Sequence, residues 1–265
     1  MRSAEPWSSD ALGQALAPEL AGCAVEVLAQ IDSTNSELMR RARAGALAPV
    51  LLVAEQQTAG RGRLGRVWHS DAGAGASRAG AGSLTFSLGL ALSPPDWSGL
   101  SLAVGASIAE SLHPDLRLKW PNDVWLHGRK LAGILLETAN VGDARYVVVG
   151  VGINLAQPDA AGLATAPAWL GEVMPQITGP QALALIAPTL VRAIKIFEAS
   201  GFLPFQSRFN ARDALSGLSV TLSDGTVGMA QGVDATGALQ VQTGHGLKKI
   251  TSSEVSVRPR AGKIV

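Results

Sequence analysis

The 265-residue chain contains one cysteine, Cys23, so it cannot form an internal disulfide. Its four histidines, at 69, 113, 127 and 245, are scattered, and no Cys/His group has metal-ligand spacing, which excludes a structural zinc site. An excess of charge is missing as well. The 22 Lys and Arg against 21 Asp and Glu leave a net +1, so no global field draws the chain to DNA or to an anionic membrane. Long hydrophobic runs are absent, because Gly, Pro or charge interrupts each one before membrane-spanning length. The N-terminal MRSAEPWSSD has no apolar stretch of signal-peptide length, and the expected compartment is the cytoplasm.

What is present is apolar and compact: hydrophobic residues make up 47% and charged residues 16%, which excludes a disordered chain. At roughly 150 residues per domain, the length suits one large domain or two unequal ones. The first clear element begins at IDSTNSELMRRARAG. Thr34 followed by Glu37 has the spacing of a helix-starting capping box, and Gly45 ends the helix. VLLVAEQ (50–56) and LTFSLGLAL (84–92) read as strands, and 100–113 as a helix. Residues 72–82, AGAGASRAGAG, read as a loop with nothing able to pack.

Four strand-like runs follow, LRLKW, DVWLH, KLAGILLET and YVVVGVGINL, with connections too short for crossover helices. They are expected to be antiparallel neighbours, which gives an α+β fold with a mixed, largely antiparallel sheet. A helix is expected over 181–199, kinked or divided at Pro188. Beyond about residue 217, short alternating segments with SDG, DATG and GHG turns predict a small β domain. The boundary is placed near 214–217.

Two segments carry the chemistry. In AEQQTAGRGRLGRVW (54–68), Gly60, Gly62 and Gly65 allow close backbone approach, while Arg61, Arg63 and Arg66 add three cations. Such a loop suits phosphate or carboxylate; it is neither the GxxxxGK[ST] phosphate loop, since no Lys-Ser/Thr follows, nor the dinucleotide GxGxxG loop, since basic residues occupy the spacer positions between its glycines. The alternative is a flexible cationic loop with no defined site. In LKWPNDVWLHGRKLAGILLET (118–138), Lys119, Lys130, Arg129 and the preceding Arg117 outweigh Asp123 to give a local +3. An ordinary surface hairpin is the alternative there.

Taken in order, DSTNS (32–36), QQTAGRGRLGRVW (56–68), KWPND (119–123), GRKLAGIL (128–135) and GVGINL (150–155) closely resemble biotin protein ligases, from about residue 28 onward. The resemblance implies a catalytic domain of the class II aminoacyl-tRNA synthetase and lipoate ligase type, residues 1–214 with 1–25 as an N-terminal extension. A small β-barrel domain, 215–265, follows it. It implies activation of biotin by ATP to biotinyl-5'-AMP, then transfer to one lysine of a biotin carboxyl carrier protein, a subunit of acetyl-CoA carboxylase. Magnesium is expected to come with ATP, and no resident metal is expected.

By the same resemblance, Lys130 and Arg63 are the catalytic candidates. Ser33, Thr34, Asn35, Gln57, Gly60, Arg61, Gly62, Arg63, Lys130 and Gly133 are the biotin-binding candidates. Arg63, Trp68, Lys119, Asn122, Asp123 and Asn154 are assigned to ATP and the adenylate, Asn122 and Asp123 also as outer contacts for magnesium. Glu254 and Arg258 match positions that reach back toward the nucleotide.

Leu64 stands where many family members have arginine, which leaves the loop one charge short. Only 31 residues precede DSTN, and a winged helix-turn-helix needs roughly twice that, so no repressor role is expected. Oligomeric state is left open, with a homodimer among the states the family shows. A lipoate or octanoate ligase on the same fold, or a ligand-binding regulator without catalysis, are the competing functions.

Overall fold

The computed structural model describes residues 7–69, 82–159 and 165–251, and the backbone of 257–259. Its centre is a seven-stranded mixed sheet of β1 (Ala24–Ile31), β2 (Val50–Gln57), β3 (Ser83–Ala91), β4 (Arg117–Lys119), β5 (Asp123–Leu126), β6 (Arg129–Val141) and β7 (Ala144–Asn154). The strand order is β1-β2-β3-β7-β6-β5-β4. As expected, β4 to β7 are successive antiparallel neighbours, and only β1 and β2 run parallel. Their crossover is α2 (Thr34–Arg43).

Strand alternation sends two sets of side chains to opposite faces. Leu84, Phe86, Leu88, Val149, Val151 and Ile153 pack with α3 (Leu100–Leu112) and α4 (Gly179–Ser200) in the main core. Leu52, Tyr146 and Val148 pack with Leu38, Met39 and Ala42 of α2 in a smaller one. Each fully buried side chain of this size contributes about 1.5–3 kcal/mol. The face under α2 is less completely filled toward one end, and the candidate site lies there.

Two elements precede the first one expected from the sequence: α1 (Ser9–Leu16), which packs on β1 and α4, and β1 itself. The helix lies in the stretch set aside as an N-terminal extension, residues 1–25, and β1 begins at its end and runs on to Ile31. The helix start was also misplaced by one residue. Ser33 is the cap, its Oγ 3.4 Å from Ser36 N, while Thr34 is already helical and Glu37 turns its carboxylate to Arg40 and Arg41.

Pro188 does not divide α4, which is one helix of 22 residues. Proline has no N–H to donate to the Ala184 carbonyl, and Ala184 is an exposed residue, while Ile186, Ala187, Leu190 and Val191 hold the buried side. After the short α5 (Gln206–Asn210), a second sheet contains β8 (Ser219–Leu222), β9 (Val227–Val233), β10 (Leu239–Thr243), β11 (Gly246–Ile250) and β12 (Val257–Pro259). These five antiparallel strands run in the order β11-β10-β9-β8-β12. Their turn at Gly237 rests on Gly99 at the start of α3, and Trp120 Nε1 donates to Gly237 O at 3.1 Å. Of the loop expected at 72–82, all but Gly82 lies outside the described residues, as do Glu254 and the side chain of Arg258.

Candidate active site

A cavity of about 170 Å³ opens between α2, the sheet and the 60–68 loop, and a neighbouring one of about 610 Å³ lies between that loop, Trp97, Trp120 and the Gly237 turn. Thirteen sequence-predicted residues line the first: Ser33, Thr34, Asn35, Gln57, Arg61, Gly62, Arg63, Trp68, Lys119, Asn122, Asp123, Lys130 and Gly133. Gly60 and Asn154 do not line it. Gly60 closes the base of the loop, its carbonyl accepting from Trp68 N at 2.9 Å, and a Cβ there would overlap Trp68 O. Asn154 is buried and donates through Nδ2 to Ala168 O at 2.9 Å, so it holds the segment before α4.

Glycines decide what the floor can hold. Gly150 of β7 lies between Ser87 of β3 and Leu135 of β6, and Gly152 between Thr85 and Gly133. Side chains of β7 at these points would project into the cavity. Asn35 fills the space above Gly150 and the Trp68 indole the space above Gly152, and a Cβ at either glycine would overlap its occupant. The GVG of the GVGINL motif is thereby explained.

The loop folds as a closed hairpin. Gly62 N donates to Arg66 O at 2.7 Å, Arg61 bridges Val67, and one 3-10 turn covers Arg63–Gly65. Leu64 takes a left-handed φ of +57°, is 61% exposed and lines both cavities. Two side chains tie the hairpin down. Arg61 pairs with Glu137 at 2.8 Å, and Arg63 donates to Asn122 Oδ1 at 2.7 Å.

The two ends of the cavity differ in chemistry. At one end neutral groups crowd together: Thr34 N donates to Gln57 Oε1 at 2.8 Å, and Thr34 Oγ1 lies 2.7 Å from Ser87 Oγ. At the other, Arg63, Arg66, Lys119 and Lys130 surround Asp123. A bulge opposite Val124 and Trp125 makes this possible. It keeps Leu131 in the core beside Ala132 and turns Lys130 to the face of Gly133, where its Nζ is 2.8 Å from Asp123 Oδ1 and 6.0 Å from the Trp68 ring centroid.

Burial pushes the Lys119 ammonium below the usual lysine range; Asp123 opposes this, while Lys130, Arg63 and Arg66 add to it. The Arg63 guanidinium is lowered too, first by burial, with Asp123 opposing and Arg66 adding. A site with more cations than its own anion can neutralise is built for an anionic ligand. Trp68 Nε1 is buried there without a partner among the described residues.

Comparison with known proteins accounts for both sheets. A family model described as "Biotin/lipoate A/B protein ligase family" matches residues 27–154, and one described as "Biotin protein ligase C terminal domain" matches 219–258. The biotin--[acetyl-CoA-carboxylase] ligase of Paracoccus denitrificans is 36% identical over 247 residues, covering 86% of this chain and 98% of the relative. The chain belongs to the biotin protein ligase family. The bifunctional ligase/repressor BirA of Escherichia coli K12 is 36% identical over 251 residues, 91% of this chain and 76% of its own length. Among solved structures, the Aquifex aeolicus biotin protein ligase in complex with biotin and ATP superposes with a TM-score of 0.73 at 29% identity. It covers 89% of this chain and 98% of its own.

Several lining residues of this biotin protein ligase family member were not singled out in the sequence. Phe86, Leu135, Gly150, Val151 and Gly152 line the cavity, and Ser87 and Glu137 support it from behind. The signal available for Gly150 and Gly152 was two glycines in a strand that is otherwise β-branched. Glu137 and Ser87 carried no local signal, because their partners lie 102 and 52 residues away.

Proposed function

We propose that the chain joins biotin to ATP, forming biotinyl-5'-AMP and pyrophosphate, and then transfers biotin to a lysine of the biotin carboxyl carrier protein of acetyl-CoA carboxylase. One observation carries the reading. A single cavity has a neutral hydrogen-bonding end at Thr34 and Gln57 and a cationic end at Lys130, joined under a hairpin that closes both. Biotin has the same two ends, a ureido ring and a carboxylate.

In this reading Ser33, Thr34, Asn35 and Gln57 hold the ureido ring. Trp68, stacked over Gly152, walls the side chain, and its unpartnered N–H is offered to the carboxylate or a phosphate oxygen. A carboxylate oxygen attacks the α-phosphorus as pyrophosphate departs. Two anions meet in that step, and Lys130 and Arg63 offset their repulsion and the charge that develops on the phosphoryl oxygens. Lys119 and Asn122 receive the nucleotide side. In the second step the lysine amine attacks the carbonyl of the mixed anhydride, the amide forms and AMP leaves. The 60–68 hairpin keeps water from the anhydride in the interval.

Magnesium does not fit as a resident ion. No group of three or more His, Cys, Asp or Glu able to hold a metal exists among the described residues; Asp123 pairs with Lys130, and Asn122 with Arg63 and Ile134. Phosphates and water would hold an ion that arrives with ATP. No helix among the described residues is long and apolar enough to cross a membrane, and the reading places the enzyme in the cytoplasm with its carboxylase substrate.

The test is intact-mass analysis of a carboxyl carrier domain after incubation with the purified chain, biotin and ATP. One added biotin on one lysine is expected. A carrier left unmodified, with biotin still bound by the protein, would favour a regulator without catalysis.

A further inference from the structure

Behind the cavity, four polar side chains run in series from Glu137 through Asn35 and Ser87 to Thr34. Asn35, Ser87 and Thr34 are 4%, 0% and 3% exposed, so water cannot complete their hydrogen bonds. Their protons can therefore be assigned one after another. Asn35 Nδ2 donates to Glu137 Oε2 at 2.9 Å and to the Leu135 carbonyl at 3.3 Å. The Glu137 carboxylate, held by Arg61, can only accept, and so can a carbonyl. The Asn35 amide consequently has one orientation, with Oδ1 facing Ser87 Oγ at 2.6 Å.

Oδ1 cannot donate, so the single Ser87 proton lies between these two atoms. Ser87 Oγ is also 2.7 Å from Thr34 Oγ1, and two oxygens that close need a proton between them. With the Ser87 proton committed to Asn35, the proton in that gap comes from Thr34. Thr34 Oγ1 is also 3.2 Å from Gln57 Oε1, a longer contact than the 2.7 Å to Ser87 Oγ, so its one proton is spent within the protein and its oxygen offers a ligand only lone pairs. Gln57 Oε1 meanwhile accepts the Thr34 backbone N–H, which leaves Gln57 Nε2 as the donor.

We propose that Glu137 and Ser87 are positioning residues that fix the polarity of this pocket, making Thr34 an acceptor beside the donor that the Thr34 backbone N–H makes of Gln57. This rests on the biotin reading and extends it to selectivity. A cyclic urea places an N–H beside a carbonyl oxygen, which matches an acceptor beside a donor. A dithiolane ring supplies neither group. Glu137 also holds Arg61, so the same carboxylate that orders the relay anchors the hairpin over it.

The test compares affinities for biotin and for the two cyclic carbamate analogues in which one ureido N–H is replaced by a ring oxygen, using titration calorimetry on the full chain. That change swaps a donor for an acceptor at nearly constant shape. The wild type should disfavour one analogue by at least about a hundredfold. Ser87→Ala should cut that preference about tenfold, because the Thr34 hydroxyl, left with only the longer 3.2 Å contact to Gln57 Oε1, can turn and donate to the ring oxygen. Glu137→Ala should reduce it in the same direction, and Glu137→Gln, whose amide oxygen can still accept from Asn35, should restore it.

A role in packing alone would weaken all ligands by one factor. An unchanged preference in folded Ser87→Ala protein therefore overturns the relay while leaving the biotin reading intact. Wild-type protein that binds none of the three ligands overturns both.

Discussion

Arg63 reaches Asn122 across 59 residues of sequence, its guanidinium 2.7 Å from the amide oxygen, while the amide nitrogen of Asn122 donates to Ile134 O at 2.8 Å. The asparagine thus joins the hairpin above the cavity to the strand below it. Arg63→Ala should raise the rate at which biotinyl-AMP escapes by about tenfold or more, the value of one charge-assisted hydrogen bond. Asn122→Ala should do the same, and the double variant should lose little beyond either single one. The measurement is loss of labelled intermediate from isolated complexes, and unchanged retention in Arg63→Ala would assign closure to another segment.

In the proposed reaction Lys130 acts on charge that is greatest in the transition state. Lys130→Ala should slow adenylation about 10²–10³-fold while changing biotin affinity by less than about threefold. Rapid-quench kinetics beside equilibrium titration separate the two quantities. Equal losses in both would make Lys130 a binding residue only.

Gly152 is the seat of the Trp68 indole, and a methyl group there has no room. Gly152→Ala should lower kcat/KM at least about tenfold and cost about 1–3 kcal/mol of stability as the ring is displaced. Gly13 in α1 has open space around it, and Gly13→Ala should stabilise the fold by up to about 1 kcal/mol with activity unchanged. Thermal melts and steady-state rates on both variants check this pair.

Asp213 lies where the last turn before the second sheet bridges back to Leu118. Burial pushes its carboxyl up to about 6, against a backbone hydrogen bond from Leu215, and Oδ2 has no partner among the described residues. The native state therefore holds this proton more tightly than the unfolded chain. Asp213 costs nothing below about pH 4, its penalty grows as pH rises from about 4 to 6, and above that it is constant. Asp213→Asn should raise stability at pH 7–8 by on the order of 1–3 kcal/mol, with the gain gone at pH 4. Denaturant melts across that range read the sign directly, and a gain that persists at pH 4 would refute it.

Most of the sheet could be read from the sequence because β4 to β7 follow one another through tight turns, so neighbours in sequence became neighbours in space. β1 was missed for the opposite reason. Its partner β2 lies beyond a helix, and AVEVLAQI is a half-exposed edge strand with weak apolar contrast. Pro188 misled because the cost of a proline depends on which carbonyl it strands, and here that carbonyl belongs to the exposed Ala184.

The cavity shows the same division. Arg61, Arg63, Lys119 and Lys130 announced themselves by local charge, and Gly62 by its place among them. Ser87 and Glu137 are an ordinary serine and glutamate until the fold sets them on either side of the Asn35 amide. Asn154 matched a motif, yet its side chain is committed to Ala168.

The central claim is that one cavity brings the carboxylate of biotin to the α-phosphorus of ATP. The most direct measurement is exchange of labelled pyrophosphate into ATP by the purified chain, with no acceptor protein present. Exchange that requires biotin and is abolished in Lys130→Ala is the predicted result. Exchange supported by lipoate but not by biotin would contradict the account.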